Sequence, residues 1–217
     1  MKNSHGLVLD IETLPKEATP TAITEQLLVH KTRNWAADKV EMQKLHYRFH
    51  EPQFAKVVCI GTLFDDGEGN IHRQQFSDMA NEENVVREFI EYTTQYCDNY
   101  MHARFVHFNG LDFDVPFLLY KCAEYEIVPP ARFCNLIRFR SDVHYDIMQL
   151  LSAWGKFAIS LREACISFGV TDPKESLNNV DTLSFLASAS EKEILQYNMA
   201  DVESTYKVFK KVIKIYQ

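Results

Sequence analysis

The chain has 217 residues, enough for one good-sized core, and its average composition, 46% hydrophobic and 24% charged, argues for an ordinary globular protein of one domain. A formal net charge of −7 argues against a protein that coats nucleic acid with a basic surface, while still allowing a cleft that grips a few phosphates. Cys59, Cys97, Cys122, Cys134 and Cys165 are widely spaced and form no Cys-x-x-Cys, which excludes a disulfide frame or zinc knuckle and reads as reduced thiols of a cytoplasmic protein. No apolar leader opens the chain and no run approaches membrane-spanning length, so a soluble protein with no membrane partner is expected.

Residues 7–13, Leu-Val-Leu-Asp-Ile-Glu-Thr, form a short apolar run between Gly6 and Pro15 that reads as a buried strand. Strand side chains alternate faces, so Asp10 and Glu12 project together from one of them. Two buried carboxylates repel, and an unpaired one costs several kcal/mol, roughly, to bury. The run contains no Lys or Arg, which favours a hard divalent cation with oxygen ligands. The alternative is that Asp10 ends the strand and caps a turn while Glu12 reaches solvent.

Residues 16–52 differ in texture, with helix-like stretches holding Leu27, Leu28, Trp35, Met42 and Leu45 among Lys31, Arg33, Lys39, Lys44 and Arg48. They read as a helical insertion, either a flap over a cleft or a solvated amphipathic hairpin. Residues 55–64 are a strong strand, 65–70 (Asp-Asp-Gly-Glu-Gly-Asn) a turn, and 71–76 a strand pairing back as a hairpin. A helix over 81–97 follows, with Val85, Val86, Phe89, Ile90, Thr93, Tyr96 and Cys97 as its apolar stripe, then a strand at 105–108.

Asn109-Gly110 signals a turn, and a helix is expected beyond it to about residue 125. Asp112 is placed to cap that helix. Asp114 falls in its first turn, where the helix dipole favours a carboxylate and where a metal ligand is equally in place. Residues 145–151 form a short element carrying Asp146, either a further ligand or a hydrogen-bonded strand end. Helix 160–168 stops at Gly169, residues 173–179 read as a loop, and Ser190 with Glu193 fits a capping box opening the last helix. On that helix Tyr197 and Asp201, four apart, reach one point in space, as a functional pair or as a core tyrosine beside a surface acid. Lys207, Lys210, Lys211 and Lys214 line its other side, as a solvated face or a phosphate contact.

The ordered set Asp10-x-Glu12, Asn109-Gly-x-x-Phe-Asp114 and Tyr197-x-x-x-Asp201 resembles the three motifs of the DEDD superfamily of 3′-5′ exonucleases, in its tyrosine-bearing subclass. The residues around these motifs, with Lys56 to Gly61, His144-Tyr145-Asp146 and Ser160-Leu161-Arg162, resemble stand-alone exonucleases related to the proofreading domain of family B DNA polymerases. The likeness covers nearly the whole chain except residues 16–52. It implies an α/β, ribonuclease H-like mixed sheet with antiparallel leading strands flanked by helices, as one exonuclease domain over residues 1–217. It further implies that Asp10, Glu12, Asp114 and Asp201 hold two Mg²⁺ or Mn²⁺ ions while Tyr197 orients the attacking water. Glu12, Thr13 and Leu14 would line the terminal nucleotide's pocket, Leu14 as a wedge against its base, with Asn109 also binding substrate.

Such ions would lower the pKa of the attacking water and neutralise the leaving 3′-oxygen. Nucleoside 5′-monophosphates would leave the 3′ end of a single strand, with DNA favoured over RNA. A ribonuclease H-like endonuclease, a non-catalytic nucleic-acid-binding module and a phosphoesterase acting on free nucleotides are the alternatives. A polymerase or repair partner is left unidentified.

Overall fold

The computed structural model describes residues 6–100, 102–137, 140–155, 157–172 and 181–215. Strand β1 (Gly6–Pro15) is the third of five in a sheet ordered β3-β2-β1-β4-β5. Along one edge it pairs antiparallel with β2 (Ala55–Asp65), which returns through the expected hairpin into β3 (Ile71–Ser77). In the hairpin turn the Asp66 carboxylate accepts from Glu68 N (2.8 Å) and Asn70 N (3.1 Å), which is why an Asp is needed there. Along its other edge β1 runs parallel to β4 (Arg104–His107), and β4 parallel to β5 (His144–Asp146).

Alternation along β1 divides the core into two layers. Leu7, Leu9 and Ile11 face Phe89 of α3 (Glu82–Asn99) and Phe117 and Leu118 of α4 (Asp114–Glu124). Val8 points the other way, into Val202, Val208 and Phe209 of α8 (Glu191–Val212) and Cys165 of α6 (Leu161–Phe168). Asp10 and Glu12, at even spacing from Val8, therefore fall on the α8 side. Both α6 and α8 open with complete capping boxes, Ser160 with Glu163 and Ser190 with Glu193.

Residues 16–52 contain two helices, α1 (Ala22–Thr32) and α2 (Val40–His50). Arg48 Nη2 donates to the carbonyl oxygens of Glu17 (2.6 Å) and Ala18 (2.9 Å), tying α2 to the chain that leaves β1. Helix α5 (Ile147–Leu151) follows β5 directly, and α7 (Thr182–Ser188), absent from the sequence reading, precedes α8. The loop expected over 173–179 lies outside the described residues. Asp112 does not cap α4. The helix begins at Asp114 after Phe113, and the Asp112 carboxylate instead accepts from Gln149 Nε2 at 2.8 Å. The five cysteines are free thiols, and among the described residues no helix is long and apolar enough to cross a membrane.

Candidate active site

The site forms where β1 loses its regular pairing. Glu12 lies opposite Cys59 but Thr13 lies opposite Val57, so β2 has one residue too many there, a bulge of the kind that re-aims side chains. Beside it, Val57 N donates to Glu82 Oε1 (2.6 Å), and that carboxylate is fixed by the buried Lys121 (3.0 Å) and by Tyr125 Oη (2.6 Å). Thr13 Oγ1 donates to the Phe49 carbonyl at 2.6 Å, binding the end of β1 to α2.

Across from this stretch lies α8, with Tyr197, Asn198 and Asp201 turned to the sheet and buried. Carboxylate oxygens of Asp10, Glu12 and Asp201 all lie within 4.8 Å of one another. The fully buried Asn198 fixes this meeting point, although the sequence reading passed over it. Its Nδ2 donates to the Asp10 carbonyl (3.1 Å) and to Asp10 Oδ2 (3.0 Å). Its Oδ1 accepts from Gln75 Nε2 (3.3 Å) and from the Cys59 thiol (3.2 Å). Burial, then Glu12 and Asp10, push the Cys59 thiol far up, so it stays a donor. Gly61, opposite Asp10 in the ladder, makes room for Asn198: a Cβ there would stand 2.1 Å from Asn198 Oδ1. The sequence signal was the Asn inside Tyr197-Asn198-Met199-Ala200-Asp201 and a lone Gly inside an apolar strand.

Asp114 enters from the other layer. It is 3% exposed at the start of α4, and its Oδ1 accepts from Ile11 N at 3.0 Å, behind β1. It is therefore near the cluster but outside the close group of three. Burial raises its carboxyl to about 6 against the pull of His107. Burial, followed by Glu12, Asp114 and Asp201, holds the Asp10 carboxyl well above the usual carboxylate range.

The turn leading to Asp114 hangs on Asp146, whose role is the hydrogen-bonded one. Asp146 accepts from Asn109 N and Leu111 N, each at 3.0 Å, and from Gln149 N at 3.2 Å. Asn109 adopts the left-handed conformation (φ 66°), which Asn tolerates better than most residues. Gly110 follows because a Cβ there would stand 2.5 Å from the His107 ring. Behind the turn, His144 Nε2 faces the Phe133 carbonyl (3.1 Å) and must donate to it, so His144 Nδ1 is left to accept from His107 Nε2 (3.2 Å). His107 Nδ1 faces Asp146 Oδ2 at 3.4 Å, both side chains being fully buried. His144 is pushed down to about 3 by burial, then by its neighbour His107.

These elements enclose a cleft of about 750 Å³ whose floor holds Asp10, Glu12 and Asp201. Thr13, Asn109 and Tyr197 also line it; Leu14 does not, being packed partly buried against the cluster of Phe49, Val58 and Leu186. Tyr197 is 6% exposed and lies 5.5 Å from the Phe185 ring of α7, with Thr182 hydrogen-bonded to its phenol. Burial and the charges of Asp201, Glu12 and Asp10 raise that phenol strongly, so it is a protonated donor. Sequence reasoning also missed the cleft residues His46 and His50 of α2 and Asp181 before α7. Lys31 pairs with Glu51 at the cleft's edge, but among the described lining residues there is no Lys or Arg against the carboxylates of Asp10, Glu12, Asp112, Asp181 and Asp201. Hard oxygen donors crowded without a cationic side chain fit a divalent cation.

Residues 47–216 match the family described as predicted 3′-5′ exonuclease related to the exonuclease domain of PolB, a span that includes Asp114, Tyr197 and Asp201 but begins after Asp10 and Glu12. A search of curated proteins found no match. The family B DNA polymerase from the hyperthermophilic archaeon Pyrobaculum calidifontis shares the fold, with a TM-score of 0.61 and 16% identity over 97% of this chain and 24% of the polymerase. E. coli exonuclease I in complex with a dT13 oligonucleotide (TM-score 0.46, 11% identity, 97% of this chain, 41% of that one) is a looser likeness. So is the ExoI/SSB-Ct complex (0.48, 13%, 99% and 42%), and neither carries weight. The chain thus spans about a quarter of the polymerase's length and about two fifths of exonuclease I. With the mixed sheet and the acidic cleft in place, the match over most of its length makes this chain a member of the family of predicted 3′-5′ exonucleases related to the exonuclease domain of PolB.

Proposed function

We propose that the protein is a metal-dependent exonuclease of the tyrosine-bearing DEDD subclass that removes nucleoside 5′-monophosphates from the 3′ end of single-stranded DNA. The observation that carries this reading is the meeting of Asp10 and Glu12 with Asp201, three carboxylates within 4.8 Å of one another. Three like-charged groups in so small a volume, with Asp114 beside them as a fourth, are stable together only when protonated or when a cation is bound. Asp10, Glu12 and Asp201 would hold Mg²⁺ or Mn²⁺, and Asp114 would join them once deprotonated. Two such ions would supply a water of lowered pKa and charge compensation at the leaving 3′-oxygen.

The protein's own residues do the positioning. Asn198 fixes the rotation of the Asp10 carboxylate through its hydrogen bond to Oδ2. Tyr197, a protonated phenol at the edge of the acidic floor, can donate to or accept from the attacking water and hold it in line. Asp146 fixes the turn that brings Asn109 into the cleft, where it would contact the terminal nucleotide with Thr13. DNA is favoured because the family is related to a domain of a DNA polymerase.

The test is electrophoresis of 5′-labelled single-stranded DNA and RNA of one sequence after incubation with purified protein and Mg²⁺, Mn²⁺ or EDTA. A ladder shortening from the 3′ end with metal, stronger on DNA and abolished in Asp10→Asn, is expected. Cutting of a circular strand would point to an endonuclease instead. Retained binding without metal-dependent shortening of either substrate would replace the reading with a binding module.

A further inference from the structure

One wall of the cleft is built of rings. His46 and His50, four apart on α2, are stacked with centroids 4.1 Å apart and planes 14° from parallel. His50 also meets Phe113, at the entrance to α4, with centroids 5.6 Å apart and planes tilted by 56°. Half-buried Phe113, half-buried His50 and exposed His46 thus form a run of ring contacts, the outer pair stacked, with all three lining the cleft. It ends in an imidazole at the rim.

The wall is also held in place. The Phe49 carbonyl accepts from Thr13 Oγ1 and the Arg48 guanidinium is anchored on two carbonyls, so α2 is fixed against the strand that carries the acids. A strand in this cleft meets carboxylates on its floor and, among the described lining residues, no Lys or Arg. Its phosphates gain little from these side chains, and its bases are what the wall can hold. The stacked pair presents a flat aromatic face, the kind on which bases stack with little regard to sequence.

We propose that His46, backed by His50 and Phe113, is a stacking platform for the nucleobases next to the 3′ terminus. This rests on the exonuclease reading and extends it by naming the part of the substrate that residues 16–52 recognise. The platform is sequence-tolerant, and it acts on strand affinity rather than on the chemical step.

The experiment is fluorescence anisotropy of a 5′-labelled single-stranded oligonucleotide, with Ca²⁺ in place of Mg²⁺, against the same strand made abasic at the two nucleotides before its 3′ end. Wild-type protein is expected to bind the natural strand about five- to tenfold more tightly than the abasic one. His46→Ala should lose that preference while binding the abasic strand as wild type does, and His46→Phe should keep it. His46 is exposed, so the melting temperature of each variant checks that the fold is unchanged. Equal binding of the two strands by wild type, or an unaltered preference in His46→Ala, overturns the platform. If the ladder assay still shows hydrolysis, only the platform falls; if wild type neither binds nor cuts any strand, both readings fall together.

Discussion

Gly61→Ala is the substitution that best isolates how the fold builds the site. An added Cβ would stand 2.1 Å from Asn198 Oδ1 and 3.0 Å from Val202 Cγ2, where ordinary contact begins near 3.4 Å. The Asn198 amide must then retreat by about 1.3 Å (3.4 − 2.1), which exceeds what its 3.0 and 3.1 Å hydrogen bonds to Asp10 can absorb. Overpacking of this kind costs about 1–3 kcal/mol. In a domain of this length that lowers the melting temperature by about 2–12 °C. Displacing a positioned carboxylate by about 1 Å costs on the order of a hundredfold in rate. Differential scanning calorimetry and a single-turnover assay on labelled single-stranded DNA measure the two effects. The control is a double-mutant cycle. If the clash is the cause, Gly61→Ala is much less harmful in an Asn198→Ala background, with a coupling of about 0.5–3 kcal/mol. Wild-type stability and rate in Gly61→Ala, or strict additivity with Asn198→Ala, would refute the reasoning.

Asp114 ties stability to pH. Its carboxyl is raised from 3.8 to about 6, so between these values the folded protein holds more protons than the unfolded chain and this group's contribution falls as pH rises. Urea unfolding in EDTA should show Asp114→Asn gaining on wild type by up to about 3 kcal/mol between pH 4 and pH 7, and saturating Mg²⁺ should remove much of that gain. An unchanged gap across that range would contradict it. Asp146→Ala, which strips the acceptor from three backbone N–H groups, should cost about 3–5 kcal/mol in equilibrium denaturation; a loss below 1 kcal/mol, roughly, would deny it the anchoring role. Tyr197→Phe should lower kcat about 10- to 100-fold with little change in the Mn²⁺ concentration needed for half-maximal rate, since the phenol is placed to orient water and not to hold the ion.

Much of the fold was readable because it rests on local rules. The alternation in residues 7–13, the hairpin turn at 65–70 and the Ser190 capping box each appear in the structure within a residue or two of the expected positions. Pattern also identified the residues that converge, Asp10, Glu12 and Asp201, because strand and helix periods put each on a definable face. The misses are tertiary. Asp112 had the chemistry of a cap, but Asp146 binds the backbone of Asn109 and Leu111 and sets where α4 begins. Helix α7 spans seven residues, too few to show a period. Leu14 follows the bulge, and the role of Asn198 depends on the register that places Gly61 opposite Asp10; neither can be seen without the pairing of β1 and β2. Residues 16–52 read either as a flap over a cleft or as a solvated hairpin, and the ring wall of α2 was not read at all, because nothing local shows that His50 meets Phe113.

The central claim is that acids from β1 and α8 form one metal centre. Calorimetric titration of Mn²⁺ into wild type, Asp10→Asn and Asp201→Asn at pH 7.5 tests it most directly. Two ions bound by wild type, with the tighter one lost equally in either variant, is the result predicted. Identical binding isotherms for all three proteins would show that the carboxylates meet for some purpose other than holding metal.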